Sequence, residues 1–266
     1  MHDSLPLARR NRIAERLAQG QTVVASSLAA EFGASEDVIR RDLRALASEG
    51  LCRRVYGGAL PMPSRVRPMS ERVPEGQLRK RALARRAAKL ILPGEYVFLD
   101  SGSANLELAR LLPEDHELTI ATNSVDIAAL LLRRSDLQVI FVGGLVHPMV
   151  GGCVDAAACA TVAQMNVDRC FVGVCAICMT TGISAFDSGD ATFKRTLLEA
   201  SRERAALVTT EKFEARAPHR ISPLAGVQTY IVENDLEATR LAQLRDVGAA
   251  VMVAGPSAPY PDPADA

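Results

Sequence analysis

The sequence predicts an α/β protein in two parts. The first part is small, with three helices and a β-hairpin, and the second is built on a parallel β-sheet. Two short helical segments on either side of a glycine turn near residue 33 predict the first part. Apolar strands that alternate with helical segments from residue 96 onward predict the second.

Charge divides along the same line. Residues 1–90 carry 18 Lys and Arg against 9 Asp and Glu, whereas residues 91–266 carry 13 against 22. This asymmetry favours a basic part that meets a polyanion and an acidic part that does not. An uneven but solvated surface would produce the same counts.

The composition is that of a folded protein. Of the 266 residues 48% are hydrophobic and none is Trp, so the core must consist largely of Ala, Val, Leu and Ile. No run of 18 apolar residues occurs, and the N-terminus, with Asp3, Arg9, Arg10 and Arg12, has no apolar signal core. We therefore expect a cytoplasmic protein that has no membrane partner and keeps its cysteines reduced.

Two of the six cysteines, Cys175 and Cys178, form a C-x-x-C pair. A zinc site would need two more ligands, and the sequence contains neither a second C-x-x-C nor an H-x-x-x-H. The pair is either redox-active or consists of small residues packed on or near a strand. We expect no metal and no cofactor.

The first 60 residues contain the three predicted helices. Residues 9–18 are amphipathic, and a second helix follows Ser26 or Ser27 as its cap. Ser35 is the predicted cap of the third helix, residues 36–48, whose first turn is acidic as the helix dipole favours.

This third helix would lie in the major groove of DNA, where Arg40, Arg41 and Arg44 can reach phosphates or guanine edges. The basic, Gly-terminated stretch that follows is typical of a β-wing, with Arg53 and Arg54 at the DNA backbone. The pattern therefore predicts a winged helix-turn-helix. A three-helix bundle with an ordinary hairpin is the alternative.

The same stretch resembles the DeoR family of bacterial regulators. The family's recognition helix usually reads S-x-x-T-I-R-R-D-L, with H-G-G-A after the wing strand. This chain has Ala34-Ser35-x-x-Val38-Ile39-Arg40-Arg41-Asp42-Leu43-x-x-Leu46, then Gly50-Leu51-x-Arg53 and Tyr56-Gly57-Gly58-Ala59. Val38 replaces the usual Thr, and Tyr56 replaces the usual His. The resemblance implies a double-stranded DNA operator as partner and adds Ser35, Val38 and Tyr56 to the candidate DNA-binding residues.

Proline spacing predicts the division of the chain into domains. We expect a DNA-binding domain over residues 1–60, a Pro-rich linker over 61–75, a sensor and oligomerisation domain over 76–255 and a disordered tail over 256–266. A basic helix over residues 77–92 opens the sensor domain. It would lie near DNA, near an anionic ligand or on a solvated outer face.

Alternation of apolar strands with helices continues to the end of this larger domain. The predicted strands are 96–100, 118–121, 138–142, 169–174, 206–209, 229–232 and 250–253. The predicted helices between them are 104–112, 125–133, 155–165, 190–202 and 236–245. Nearly continuous apolar strands of this kind form a parallel sheet that is covered on both faces.

Polar residues cluster where successive strands end, which is the edge that holds ligands in open α/β sheets. Ser and Gly before a helix offer hydroxyl and backbone N–H groups that suit a phosphate, although each such turn could also be only a helix cap. Two lysines on later segments could supply positive charge. The candidate effector-binding residues are Asp100, Ser101, Gly102, Ser103, Thr122, Asn123, Gly143, Gly144, Lys194 and Lys212.

These elements, over about residues 80–236, resemble the DeoR-family sensor domain, which is similar in fold to ribose-5-phosphate isomerase. The resemblance implies a phosphorylated small-molecule effector. Family members usually have a Thr where Ala104 stands and an Asp where Thr209 stands, three residues before the matched Lys212. Further matching residues are Gly151, Phe171-Val172-Gly173, Gly182, Asp190-Ala191-x-x-Lys194 and Phe213.

Two functions of different class follow. The first is a DNA-binding regulator of carbohydrate or polyol metabolism, usually a repressor, acting as a homo-oligomer (dimer or tetramer) on paired half-sites. The alternative is a sugar-phosphate isomerase or hydrolase with an appended DNA-binding domain. Isomerisation would need a carboxylate base, for which Asp100, Asp187 and Asp190 are candidates. We favour the regulator and assign no catalytic residue.

Overall fold

The computed structural model describes residues 6–18, 21–49, 51–61, 67–213 and 215–255. It divides into two compact units, the first ending at Arg65 and the second beginning at Val66. The predicted tail over residues 256–266 lies outside the described residues, as do residues 62–66 of the predicted linker.

The first unit contains the three predicted helices and the wing. Its elements are α1 (Pro6–Ala18), β1 (Val23–Val24), α2 (Ala25–Phe32), α3 (Glu36–Ser48), β2 (Cys52–Val55) and β3 (Gly58–Pro61). The strands form an antiparallel sheet in the order β1-β3-β2. Ile13, Leu28, Ile39 and Leu43 lie in the core that joins the three helices to this sheet.

The caps of two of these helices differ from one another. Ser35 caps α3 as predicted, since its hydroxyl accepts a hydrogen bond from the Val38 N–H at 3.4 Å. Neither Ser26 nor Ser27 caps α2, which begins at Ala25. The predicted cap is wrong because the wing turn supplies the acceptor: the Ala25 N–H donates to the Gly57 carbonyl at 2.8 Å.

The second unit begins with α4 (Met69–Arg72) and α5 (Gln77–Ala88). The elements from β4 to α8 are β4 (Tyr96–Leu99), α6 (Ser103–Arg110), β5 (Thr119–Thr122), α7 (Val125–Leu131), β6 (Gln138–Phe141), β7 (Val146–His147), β8 (Gly152–Cys153) and α8 (Ala156–Val162). The remaining elements are β9 (Val167–Phe171), β10 (Ala176–Cys178), β11 (Gly182–Ala185), α9 (Ser188–Glu199), β12 (Ser201–Val208), β13 (His219–Ser222), β14 (Thr229–Val232), α10 (Ala238–Asp246) and β15 (Ala250–Val253).

The seven predicted strands form one sheet, in the order β15-β14-β12-β9-β4-β5-β6. Every neighbouring pair is parallel, and the predicted α/β fold class is thereby confirmed. One apolar layer, containing Phe98, Phe193 and Tyr230, covers one face. A second layer, containing Leu83 and Ile120, covers the other.

Strands outside this sheet were not predicted. β10, β11 and β13 form a small antiparallel sheet, and β7 pairs with β8. Their two to four residues are too short to show a clear alternation of apolar and polar positions. Gly182 allows β11 to approach its neighbour, because a Cβ there would lie 2.1 Å from the Ser222 carbonyl oxygen. None of the helices in the described ranges is long and apolar enough to cross a membrane.

Candidate functional site

The parallel sheet reverses its strand order at β4. The chain runs outward from β4 to β5 and β6, then returns to place β9 on the other side of β4. Ligands in open α/β sheets bind in the crevice that such a reversal leaves beyond the strand ends. In this protein Asp100 and Ser101, after β4, and Gly173, after β9, line that crevice. The Asp100 carboxylate accepts the Gly173 N–H at 2.7 Å.

Two small features let the loops on either side of the crevice meet. Gly173 must lack a side chain, because a Cβ there would lie 2.6 Å from the Ser101 carbonyl oxygen. The Asn105 amide donates to the carbonyls of Asp100 and Phe171 at 2.9 and 2.7 Å, and so joins the loop after β4 to the end of β9. Sequence reasoning missed Asn105, since a polar residue in the first turn of a helix carries no special signal.

Lys194 lies beneath this crevice in an acid–lysine cluster, which we define as Asp100, Asp190 and Lys194. Its ammonium group is 2.9 Å from the Asp100 carboxylate and also contacts Asp190, one helical turn earlier. Only 1% of Lys194 is exposed. Burial alone would lower the pKa of Lys194, but the two carboxylates outweigh it and raise that pKa.

The role predicted for Lys194 therefore changes. We expected its charge to be available to an effector, but two buried carboxylates already neutralise it. Asp100 is likewise occupied by Lys194 and Gly173 through one carboxylate oxygen. Its other oxygen, Oδ1, and the Ser101 hydroxyl are buried without a hydrogen-bond partner among the described residues. These two atoms are unpartnered polar groups of the loop after β4, and a buried polar atom of this kind is uncommon in a folded protein.

Thr122 and Asn123 orient the loops rather than line the crevice with free groups. The Thr122 hydroxyl donates to the Leu99 carbonyl at 2.6 Å. The Asn123 side chain accepts the Ser101 N–H at 3.0 Å and donates to the Cys153 carbonyl at 3.2 Å. Both residues are fully buried.

The remaining predicted effector residues divide into two places. Gly102 and Ser103 lie at the start of α6, beside the crevice. Gly102 is the N-cap of this helix, and as a glycine it has no side chain that could accept a hydrogen bond from the first turn. Gly143 and Gly144 follow β6, two strands away from β4. Gly144 packs on the Asp155 carboxylate there, so it is not brought to the acid–lysine cluster.

A second group of positive charges, which we call the cationic cluster, consists of Arg72, Lys80 and Lys212. The Lys80 ammonium donates to the Arg72 carbonyl at 2.5 Å, and only 8% of Lys80 is exposed. Burial lowers the pKa of Lys80, and the charges of Lys212 and Arg72 lower it further against the opposing pull of Glu75 and Glu211. Of these three residues only Lys212 was predicted individually.

The charges of both clusters act on the Cys175 thiol. Burial is the main reason that the pKa of this thiol is raised. Asp190 also raises the pKa of this thiol, whereas Lys194, Lys212 and Arg72 lower it. The described part of the chain shows no carboxylate within ion-pair distance of any member of the cationic cluster.

Thr209 stands where the resembling family usually has Asp, at the end of β12. Its hydroxyl donates to the Glu211 carboxylate at 2.7 Å, and Glu211 lies 3.0 Å from the Arg79 guanidinium. Burial would raise the pKa of Glu211, but the Thr209 hydrogen bond and Arg79 lower it. Glu211 therefore supplies an ionised carboxylate two residues beyond the substituted position.

The two cysteines of the C-x-x-C pair lie on either side of the start of β10. Cys175 stands at a bend before this strand, and Cys178 is its last residue. Both are free thiols, and the redox interpretation stays a prediction. Within the described ranges no group of His, Cys, Asp or Glu residues has the arrangement of a metal site.

All three predicted arginines of α3 are exposed, but they differ in their carboxylate partners. Arg41 and Arg44 are exposed, and no carboxylate pairs with either in the part of the chain that the structure describes. Arg40 instead contacts Glu36 at 2.6 Å and Asp37 at 3.3 Å on its own helix. Its charge is partly neutralised, so Arg40 is a weaker candidate for contacting DNA than its neighbours.

The wing projects Arg54 and Tyr56 into solvent. Tyr56 and Gly57 form the two-residue turn between β2 and β3, and Gly57 has a positive φ of 81°. Gly58 allows β3 to lie against β1, because a Cβ there would meet the Val23 carbonyl oxygen at 2.1 Å. The side chain of Arg53 lies outside what the structure describes.

An ion pair that sequence reasoning missed fixes the orientation of α3. The Arg9 guanidinium of α1 lies 2.7 Å from the Asp42 carboxylate of α3, and both residues are buried. Breaking such a pair leaves an uncompensated charge and costs about 3–5 kcal/mol. Asp42 within the Arg-Arg-Asp run therefore stabilises the helix packing, while Arg41 next to it is exposed.

Comparison with known proteins divides the chain into two parts, as the structure does. A family model described as "DeoR-like helix-turn-helix domain" matches residues 9–64, and one described as "DeoR C terminal sensor domain" matches residues 76–234. A putative aga operon transcriptional repressor of Escherichia coli O157:H7 is 30% identical over 93% of this chain and 93% of its own length. The glycerol-3-phosphate regulon repressor of Escherichia coli strain K12 is 31% identical over 79% of this chain and 83% of its own.

Solved structures similar to this chain include two of different kinds. Ribose 5-phosphate isomerase A of Methanocaldococcus jannaschii aligns with 51% of this chain and 53% of its own, with 19% identity and a TM-score of 0.38. A probable sor operon regulator of Shigella flexneri aligns with 52% and 78%, with 12% identity and a TM-score of 0.39. These likenesses carry no functional conclusion.

Proposed function

The chain belongs to the DeoR family of transcriptional regulators, and on that premise we propose that it is a repressor released from its operator by a phosphorylated sugar or polyol. The observation that carries the effector chemistry is the cationic cluster beside the β4–β9 crevice. One relative is named for an aga operon and another for a glycerol-3-phosphate regulon, which supports a role in carbohydrate or polyol metabolism.

A phosphate dianion is the ligand that this cluster would hold best. Arg72, Lys80 and Lys212 bring three positive charges together, and Lys80 is buried. Partly buried cations without a carboxylate at ion-pair distance repel one another, so an anion between them relieves that repulsion and forms charge-assisted hydrogen bonds. Lys194 would act indirectly, by fixing Asp100 and the loop that carries Ser101.

The carbon skeleton of the effector would lie over the crevice. The Asp100 Oδ1 and Ser101 hydroxyl atoms are buried and have no partner in the described ranges, so they can exchange hydrogen bonds with sugar or polyol hydroxyls. The first turn of α6 adds backbone N–H groups beside them. Side-chain oxygens and backbone N–H groups next to a cationic cluster favour a small phosphorylated polyhydroxyl compound over a bare anion.

The position of the cationic cluster near the linker suggests how effector binding changes the affinity for the operator. Arg72 lies within the predicted linker, at the end of α4, and Lys80 follows five residues after that linker. Arg72 also donates to the Met149 carbonyl at 3.0 Å. An effector that binds them better in one arrangement of the chain than in another shifts the balance between those arrangements. We propose that a homo-oligomer, dimer or tetramer, binds paired half-sites in the cytoplasm through α3 and the wing.

Enzymatic turnover is the weaker alternative. Asp100 and Asp190 both contact Lys194, and Asp187 caps α9 by accepting the Asp190 N–H at 2.8 Å. Two of the three carboxylates are held by Lys194 and the third by a helix cap, so we assign none of them as the base of a proton abstraction. An assay of isomerase and phosphatase activity across sugar phosphates separates the two functions, and turnover by the purified chain would favour the enzyme.

Thermal-shift screening of sugar and polyol phosphates, with glycerol 3-phosphate among them, identifies the effector. A ligand at 100 times its Kd adds about 2.7 kcal/mol of stability. For the best ligand we expect Lys212→Ala to weaken binding by about tenfold or more in calorimetry while leaving operator binding unchanged, since a charged hydrogen bond contributes about 1.5–3 kcal/mol.

The matched control is Lys89→Ala, which removes an exposed lysine at the end of α5. It should bind the ligand as wild type does. The proposal fails if the unphosphorylated parent compound binds as tightly as its phosphate, or if Lys212→Ala and wild type give equal affinities.

A further inference from the structure

The outer strand of the sheet at β6 leaves an unusual amount of apolar surface exposed. Within the described residues of the second unit, six large apolar side chains with substantial exposure fall in one segment of α7, β6 and β7. They are Val125, Leu132, Ile140, Phe141, Leu145 and Val146. Such a concentration in one segment differs from the single exposed apolar residues that are normal on a protein surface.

These six residues, which we call the apolar strip, lie in β6 at the edge of the sheet and in the chain segments before and after it. Ile140 pairs in register with Ala121, and Phe141 pairs with Thr122. Successive side chains of a strand point to opposite faces, so Ile140 and Phe141 extend the strip onto both faces. They are 39% and 46% exposed, although parallel strands in this fold class are normally covered on both sides.

The backbone of β6 is also open to another strand. Gln138 and Val142 direct their N–H groups inward, to the Leu118 and Thr122 carbonyls at 2.9 and 2.8 Å. Alternation along the strand then directs the N–H and C=O groups of Val139 and Phe141 outward. Native edges are usually protected by charged residues or by Pro within the strand, whereas residues 137–147 contain no Asp, Glu, Lys, Arg or Pro.

We propose that the β6 edge is a dimer interface in which two copies of this chain pair their β6 strands antiparallel about a two-fold axis. A two-fold interface brings the same patch of both copies together, so each patch must be self-complementary. A charged edge would repel its own copy, and this uncharged apolar edge does not. The inference does not depend on the effector chemistry proposed above.

The exposed apolar area supplies more than half of what a dimer needs. At roughly 150–200 Å² for a fully exposed large apolar side chain, the six exposures correspond to about 500 Å² per copy. A stable interface buries about 800 Å² per partner, and paired backbone and flanking side chains can supply the remainder. The outward-facing backbone groups of β6 define the register of the two strands. The outward groups of Val139 and Phe141 pair with those of the second copy when Ile140 lies opposite its own counterpart.

Sedimentation of the full chain tests the interface. We expect wild type to dimerise or form a higher oligomer at micromolar concentration. Ile140→Lys should weaken the dimer by about a hundredfold or more, because it places two like charges at the axis. The matched control is Val253→Lys on β15, the opposite edge of the sheet, where Val253 is 36% exposed. This variant should associate as wild type does.

Cross-linking tests the register and does not depend on a disruptive substitution. Residues directly opposite in a non-hydrogen-bonded antiparallel pair have Cα atoms about 4.5 Å apart, which is within disulfide range. Ile140→Cys should therefore give a covalent dimer under mild oxidation, and wild type and Val253→Cys should not. A monomeric wild type, an Ile140→Lys protein that is folded and still dimeric, or a Val253→Lys protein that dissociates equally would overturn the proposal.

Discussion

Positive charge is used in opposite ways in the two units of this protein. On α3 and the wing, Arg41, Arg44 and Arg54 are exposed. In the sensor unit, Lys80 and Lys194 are buried. Exposed cations can neutralise the phosphates of a long polyanion, and removing one costs the fold little. Buried cations are placed for one partner, and removing one leaves other buried groups unpaired.

The two buried lysines differ in turn from one another. Lys194 contacts two carboxylates and is neutralised within the protein. The Lys80 ammonium contacts a carbonyl oxygen. Burial lowers the pKa of Lys80, and the positive charges of Lys212 and Arg72 lower it further. Burial by itself therefore does not identify a ligand-binding lysine. The neutralised lysine stabilises the scaffold, whereas anion binding is what we propose for the lysine without an ion-paired carboxylate.

The largest effect should come from removing the neutralised lysine. Lys194→Ala leaves Asp100 and Asp190 buried without their cation, and we expect the free energy of unfolding to fall by about 3–5 kcal/mol in urea denaturation. The exposed control, Lys89→Ala, should change it by less than about 0.5 kcal/mol. Equal stabilities for the two variants would mean that buried and exposed cations do not differ as described.

The next effect concerns the exposed arginines. Arg41→Ala should weaken specific operator binding by about 1–3 kcal/mol in fluorescence anisotropy, with thermal stability unchanged, since a base contact has about this value. Arg40→Ala should cost less, because Arg40 already shares its charge with Glu36 and Asp37. An Arg41→Ala protein with wild-type affinity for its operator would exclude Arg41 from the DNA contact.

The smallest expected effect concerns the reactivity of two cysteines, one with a lowered pKa and one with a raised pKa. Thr180 and Thr181 lower the pKa of the Cys178 thiol to about 6 through hydrogen bonds, whereas burial raises that of Cys170 to about 12. A thiol with a lowered pKa is already thiolate above that value. Alkylation of Cys178 should therefore rise through pH 6 and be nearly level from pH 7 to 8, as followed by mass spectrometry.

A threonine variant provides the control for that profile. The Thr180 hydroxyl lies 3.2 Å from the Cys178 sulfur, so Thr180→Val should shift the alkylation midpoint toward that of an ordinary thiol. Cys170 should remain nearly unreactive over the same range in both proteins. A Cys178 midpoint that stays above pH 8 in wild type would contradict the assignment.

The sequence by itself determined the fold class, the seven strands of the main sheet and the start of α3. These follow from local signals: apolar strands, a serine followed by acidic residues, and glycines that end elements. The same signals located the polar groups at the strand ends. The wrong cap of α2 shows where such signals stop, because its acceptor comes from Gly57 in the wing.

Only the tertiary structure decided which polar and charged residues are free to act. Lys194 meets Asp100 from 94 positions away, Arg9 meets Asp42 across two helices, and the charge of Lys212 acts on Lys80 from a distant part of the sequence. Whether a charge is neutralised depends on the distance to its partner and on burial. Residue type and local spacing do not encode either quantity, so the roles of these lysines emerge only in the folded chain.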